Sequence, residues 1–534
     1  MLRKFRVNAI YLVLLTALAT QLYLQWNYTL AWGDSFVQFE MAHHWANGQG
    51  IQLCEIKASD LSQNLCSNQL LWPPGYPFFL KMCFPLFQDF IITGRFLDCL
   101  AMGLLLILHF KTLQIIGFSR KAIFAVFLFL SVSYGPFAYL FSTDVWSMLA
   151  YECSIWYALI LLKHKSHGWF ATLSLAVVIF SMVFFKYMYY NLCIIPSCFL
   201  IIGFINSNRK LKRQALALIA LLALFTFLFF SFMKNYTGSL NPLNRLETGF
   251  FWEHLLKIDA LGTRSLFFTE NLYKYLITHQ MTGHWIQAAL VTGELIISFV
   301  ILWCIGYLVF GRQKVLTRLS DDYLKNSYFL LVVLTIIFSL GYLGALSVVY
   351  RWANGWTYIQ ETRYYIPAMM GILTLFMYLA TQSGLPLLYR FISRGILIIS
   401  LTFATVYTSY RIVAVSLLKH DNYNIYYLFD ELWEVNDELP KLVKELSDKP
   451  VVFAASDTRI GQYAYFTGTL RIALSKIEEG GVHTSRPVTL LLYVPEQNYR
   501  KAYDYILKNR TYRVIQQVKS RGKIYLAVDI PTTP

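Results

Sequence analysis

The sequence predicts a polytopic α-helical membrane protein of about eleven transmembrane helices, ending in a small C-terminal α/β soluble domain. Three observations carry that prediction. Of 534 residues, 57% are hydrophobic and only 14% charged, against roughly a quarter charged in a soluble domain. So little polar surface cannot cover a globule in water, and the mean hydropathy of +0.47 agrees. Apolar stretches long enough to cross ~30 Å of hydrocarbon recur along the chain. After about residue 414 the pattern changes to short β-rich runs.

The apolar stretches read as 8–30, 90–110, 122–141, 145–162, 169–185, 187–205, 215–233, 285–310, 328–350, 364–380 and 395–413. Orientation follows from Lys and Arg in the short loops, which stay on the cytoplasmic side. Arg3, Lys4 and Arg6 precede the first span and place the N-terminus inside. Alternation then puts Lys111, Arg120 and Lys121 inside, followed by Lys163 and Lys165, the run 209–213, Arg312, Lys314 and Arg318, and finally Arg390 and Arg394. Every loop assigned to the inside is basic, which supports the count independently. An odd count sends the tail outside. The net charge of +16 is accounted for by these loops, so no nucleic-acid partner is expected.

Three segments outside the bilayer are long. Residues 31–89 are polar, aromatic and proline-bearing. Residues 234–284 hold amphipathic stretches such as FFWEHLLKI and ENLYKYLI, the pattern of helices lying at the interface. The third is the tail, where residues 426–446 read as a helix interrupted at Pro440. PVVFAAS, VTLLLYV, TYRVIQQV and KIYLAVDI read as strands, with a helix over 497–508. The expected division is a transmembrane domain over 1–415, carrying extracytoplasmic loops 31–89 and 234–284, and an extracytoplasmic α/β domain over 416–534. Most of the eight cysteines lie in apolar runs. Cys54 and Cys66 share a polar loop, where a disulfide or two free thiols both fit.

Several polar residues stand where chemistry can use them. Asp34, in WGDSFVQFEMAHHWANGQG, sits where the first span leaves the membrane. It can serve as a general base at the lipid surface or cap an interfacial helix from Ser35. Asp144, in FSTDVWSMLAYE, opens the fourth span on the same face, again as a functional carboxylate or a cap. Lys186 in FFKYMYYN, and Arg351 and Arg363 in YRWANGWTYIQETRYYIP, are cations on the outer face. They can bind phosphate, snorkel to head groups, or pair with Glu361. Glu152 and Glu294 lie within spans, where a carboxylate either functions or bonds inside the protein. His284 and Arg245 fall in the second long loop. His43 and His44 point about 100° apart on a helix, which disfavours their sharing one ion.

Asp34 followed by Ala42, Trp45 and Gly48, then PPGYP, resembles the first extracytoplasmic loop of bacterial GT-C fold glycosyltransferases. The branch is the one related to protein O-mannosyltransferases and lipid A aminoarabinose transferases. The STD before the fourth span and ETRYYIP before the tenth are also similar to that family, and the topology of residues 5–415 follows it. The resemblance implies a transferase that takes a sugar from a polyprenyl-phosphate donor and places it on a glycan, lipid or protein acceptor. Asp34 would deprotonate the acceptor hydroxyl, which attacks the anomeric carbon with inversion. Asp144 matches the second acidic position and would orient acceptor or sugar. Lys186, Arg363 and Tyr364 would meet the departing phosphate. With two cations on a monophosphate leaving group, no metal or cofactor is expected. The implied location is a bacterial cytoplasmic (inner) membrane.

Two other readings use the same architecture. A polymerase or ligase of lipid-linked glycans would leave a diphosphate and depend on arginines more than on Asp34. A transporter or flippase would carry paired broken helices and charges near the midplane; the absence of internal repeats counts against it. The tail has no glycine-rich phosphate loop.

Overall fold

A computed structural model describes residues 2–28, 33–57, 60–68, 70, 72–132, 143–238, 246–251, 323–352, 366–381, single positions between 387 and 409, 442–446, 448–455, 470–473, 483–495, 513–520 and 523–532. The spans expected at 285–310 and, for the most part, 395–413 lie outside these residues, as do Arg245, His284, Glu294, Arg363, Tyr364 and the helix expected over 497–508. The described chain is mostly helical, with a five-stranded sheet near its C-terminus. Packing divides it into two compact units. One comprises Met1–Thr29, Leu71–Tyr76 and Gly94–Lys419; the other comprises Leu30–Leu70, Pro77–Thr93 and His420–Pro534.

The first unit is the helical bundle. Its helices are α1 (Leu2–Tyr28), α4 (Phe90–Ile115), α5 (Arg120–Val132), α6 (Thr143–His164), α7 (Trp169–Phe185), α8 (Asn191–Ile205), α9 (Arg209–Thr237), α10 (Tyr323–Val349) and α11 (Ile366–Thr381). Among the described residues, α1, α4, α6, α9 and α10 each hold a window long and apolar enough to cross a membrane. Their outer faces are apolar: Leu12 on α1 and Phe227 on α9 are 65% and 68% exposed. Apolar surface at that density is stable only against lipid, so the chain is a multi-pass membrane protein. The basic run 209–213 opens α9, where Asn208 accepts from the Leu211 amide at 3.3 Å. Gly238 closes that helix in the left-handed region, φ 74°.

The inner faces carry a polar cluster. His109 of α4 lies 3.1 Å from Glu152 of α6 through Nδ1 and 3.0 Å from Thr374 of α11 through Nε2. Tyr151 of α6 meets Thr335 of α10 at 2.5 Å. Glu152 therefore bonds inside the protein, one of the two roles open to an intramembrane carboxylate. These bonds fix the register of four helices, because a one-turn slip would bury each group without its partner.

The second unit joins the loop after α1 to the tail. Helix α2 (Gly33–Ala46) leads into a hairpin of β1 (Gln52–Lys57) and β2 (Asp60–Asn68), in which Cys54 faces Cys66 and the two form a disulfide. The tail sheet has the order β6-β5-β7-β9-β8, with β5 (Val451–Ala455) parallel to β6 (Leu470–Ala473) and β7 (Val488–Pro495). Strand β9 (Lys523–Ile530) runs antiparallel beside β7, and β8 (Arg513–Ser520) pairs antiparallel with β9 at the edge. Val452, Phe453, Leu490, Leu491, Leu492 and Tyr525 are at most 1% exposed and form its core. Four of these strands stand where the sequence places them; β6 is an addition.

Hairpin and tail are stitched by polar bonds. The Leu61 amide donates to the His483 carbonyl at 2.8 Å, and the Ser485 amide to Asp60 Oδ1 at 3.0 Å. Arg486 donates to the Ser62 carbonyl at 3.2 Å. Burial pushes the Asp60 carboxyl up, but hydrogen bonds from Ser485 and Ser62 outweigh it and hold the group well below the usual carboxylate range. A carboxylate held down in the fold contributes stability above its unfolded value, about 3.9, and that contribution is lost as pH falls toward the depressed native value. Hydrogen exchange at the Leu61 amide is therefore expected to quicken below about pH 4, and Asp60→Asn to remove that acid dependence. An unchanged profile in the Asn variant would contradict the assignment.

Candidate active site

Asp144 lies in the first turn of α6, directly after Thr143, so the helix begins before it. Lys186 terminates α7: its backbone is extended, φ −154° and ψ 129°, and its amide still bonds the Met182 carbonyl at 2.9 Å. The chain reverses over 186–190 before α8 begins. Helices α6 and α7 pack together, and at the end of α7 the Lys186 ammonium reaches α6, where Nζ donates to Asp144 Oδ1. The two side chains are only 11% and 15% exposed. Trp146 and Phe185 stack beside them at 5.4 Å, and Tyr187 contacts Phe229. An ion pair walled by rings interacts more strongly than one in water. Two of the residues singled out from sequence thus stand together, 42 residues apart in the chain.

The segment holding Lys186 is braced by the WPPGYP stretch. Tyr187 OH donates to the Trp72 carbonyl at 3.4 Å. Gly75 approaches the end of α7 so closely that a Cβ there would lie 2.5 Å from the Phe184 carbonyl oxygen and 3.0 Å from Phe185 Cδ1. The glycine is required by proximity: backbone meets backbone two residues before Lys186. Tyr76, the next residue, is fully buried against Asp98 of α4. The sequence singles out PPGYP but not this bracing role, which depends on a contact across more than a hundred residues. Gly75→Ala is expected to displace Lys186; were Lys186 to act on the reacting phosphate, a shift near 1 Å would cost about 10²-fold in rate. Turnover of the purified variant checks it, with Gly103→Ala as control, since a Cβ there meets only Leu22 Cδ2 at 3.8 Å.

Asp34 falls in the first turn of α2, whose backbone starts at Gly33, two residues earlier than a cap at Asp34 requires. Arg363 and Tyr364 lie outside the described residues. Further along α2, His43 and His44 diverge as their spacing dictates. His43 meets Phe90 edge-on at 6.0 Å and Asn47 at 3.1 Å. Burial, with His44 alongside, holds its pKa below the usual imidazole value. His44 turns instead toward Cys54, with Nε2 3.2 Å from the sulfur. Beside them opens a cavity of about 500 Å³ lined by His43, His44, Asn47, Gln49, Gln52 and the disulfide.

Residues 72–231 match the protein family described as dolichyl-phosphate-mannose-protein mannosyltransferase. That stretch holds Gly75, Asp144 and Lys186. Among solved structures, ArnT from Cupriavidus metallidurans bound to undecaprenyl phosphate matches over 98% of this chain and 98% of its own, at 10% identity and a TM-score of 0.52. The oligosaccharyltransferase of Archaeoglobus fulgidus, tethered with an acceptor peptide containing the NVT sequon, covers 94% of this chain and 71% of its own at 10% identity, with a TM-score of 0.48. No curated protein sequence matches significantly. The chain is a membrane protein of the GT-C fold, related through residues 72–231 to the protein O-mannosyltransferases and similar in fold to ArnT.

Proposed function

We propose that this protein is a membrane glycosyltransferase that moves a sugar from a polyprenyl-phosphate donor to an acceptor hydroxyl on the extracytoplasmic face, with inversion. The Asp144–Lys186 pair, set in aromatic walls within the stretch that matches the mannosyltransferase family, is the observation that carries the reading.

The chemistry needs a base for the acceptor and positive charge for the leaving group. Asp34 takes the hydroxyl proton. The freed oxygen attacks the anomeric carbon from the face opposite the phosphate, the C–O bond to the phosphate breaks, and polyprenyl phosphate departs with the bonding pair. Lys186 meets the growing charge on that phosphate, helped by Arg363 and by the hydroxyl of Tyr364. Before the donor arrives, Asp144 holds the ammonium in place, so little reorganisation remains at the moment of reaction. Residues 1–415 supply these groups, and the tail after 416 serves the acceptor. The lipid part of the donor fits a site opening on the bilayer. One neighbour bears on the donor class: the ArnT structure holds undecaprenyl phosphate. A bacterial inner membrane is the expected location.

Product analysis tests the reading. With a polyprenyl-phosphate sugar of known anomeric configuration, the product is expected to carry the opposite configuration, with one polyprenyl phosphate released per sugar transferred. Retention of configuration would contradict direct displacement.

A further inference from the structure

Beside the cavity at the C-terminal end of α2, Glu40, His44 and Cys54 are all buried, and their ligand atoms lie within 4.8 Å of one another. A thiolate, an imidazole and a carboxylate are the ligand types of Zn2+ sites. In the oxidised protein Cys54 is engaged with Cys66, and a disulfide sulfur is a poor ligand compared with a thiolate. Reduction would supply two thiolates from facing positions on β1 and β2.

We propose that this cluster is a redox-gated Zn2+ site: a disulfide when oxidised, and a four-ligand centre of Glu40, His44, Cys54 and Cys66 when reduced. The imidazole is already set for it. His44 Nδ1 bonds Gln49 Oε1 at 2.5 Å; the amide oxygen only accepts, so in the neutral ring the proton is on Nδ1 and Nε2 carries the lone pair. That lone pair points at Cys54 Sγ, 3.2 Å away, close to the separation of about 3.5 Å expected between nitrogen and sulfur on one tetrahedral Zn2+. A hydrogen bond on the other ring nitrogen is the usual way a ligating histidine is oriented. Glu40 Oε1 accepts from the Cys54 amide at 2.7 Å, which fixes the carboxylate beside the sulfur.

The gate has an accessible side. Cys66 is exposed, whereas Cys54 is 1% exposed. A thiolate of an external dithiol attacks Cys66 Sγ, forming a mixed disulfide and releasing Cys54 as thiolate. The second thiol of the dithiol then displaces Cys66 and leaves as a cyclic disulfide, so two electrons pass from dithiol to cystine. Zn2+ entering the site takes both sulfurs as thiolates, and their protons go to solvent.

The test uses the full-length chain in detergent, titrated with Zn2+ against a chromophoric chelator, before and after dithiol treatment and removal of reductant under anaerobic conditions. About one Zn2+ per chain is expected in the reduced protein and none in the oxidised protein. Co2+ in its place should show thiolate charge-transfer absorption. Gln49→Leu should weaken binding by about 10–100-fold, His44→Ala should weaken it further, and Cys54→Ser with Cys66→Ser should abolish it in both states. Equal binding by oxidised protein, wild-type affinity in reduced His44→Ala, or a reduced chain that either stays monodisperse without binding or aggregates would each overturn the proposal.

Discussion

Asp34→Asn is expected to lower turnover by about 10²–10⁴-fold, the range that general-base catalysis supplies, while leaving the KM for the donor nearly unchanged. The amide matches the carboxylate in size but cannot take the acceptor proton. The loss should therefore fall on the chemical step alone. In the wild-type protein the rate should drop on the acidic side as the base is protonated, and the Asn variant should lose that limb. Steady-state release of polyprenyl phosphate across pH measures both. An Asn variant as active as the wild type would remove the base from the account. In sequence Asp34 comes six residues after a 27-residue apolar helix, a spacing that suits a base acting on a lipid-linked donor.

Lys186→Ala is expected to cost about 10²–10³-fold in turnover, the loss that follows removal of one preorganised donor to a developing anion. Lys186→Arg should restore part of it, since charge returns with altered geometry. The substitution also leaves Asp144 without Lys186 in a largely buried setting, and breaking a buried pair costs about 3–5 kcal/mol. Stability and catalysis can be separated. The double variant Asp144→Ala with Lys186→Ala should recover much of the stability, because no carboxylate is left without its cation, yet remain inactive. Thermal unfolding in detergent beside turnover resolves the two. A double variant that regained activity would show that Lys186 acts only by neutralising Asp144.

The bundle was legible because its signals are additive. A run of twenty apolar residues has few alternatives to a spanning helix, and α4, α6, α7, α9, α10 and α11 lie close to where hydropathy places them. The break between α7 and α8 was marked in sequence by one charge, Lys186, and the structure shows the reason: an extended residue that turns the chain. What the sequence withheld is pairwise. Nothing in FSTDVW or FFKYMYY says that Asp144 bonds Lys186 and not another group. The nearness of Gly75 to Phe184 leaves no local trace, since a glycine between prolines and tyrosine reads equally well as a turn residue. The hairpin is hidden in the sequence for a related reason. QLCEIK and DLSQNLCSN alternate too weakly to read as strands, and they are ordered by the disulfide and by bonds to residues 483–486, over four hundred positions away. Strand β6 is only four residues long, and its pairing with β5 defines it more than its composition does.

The most direct test reconstitutes the purified protein in liposomes with sugar-labelled polyprenyl monophosphate or sugar-labelled polyprenyl diphosphate, in the presence of cell-envelope extract as acceptor source. The account predicts label transferred to acceptor from the monophosphate donor alone, with free polyprenyl phosphate formed in step. Transfer only from the diphosphate donor, or movement of intact donor across the bilayer with no transfer, would contradict it.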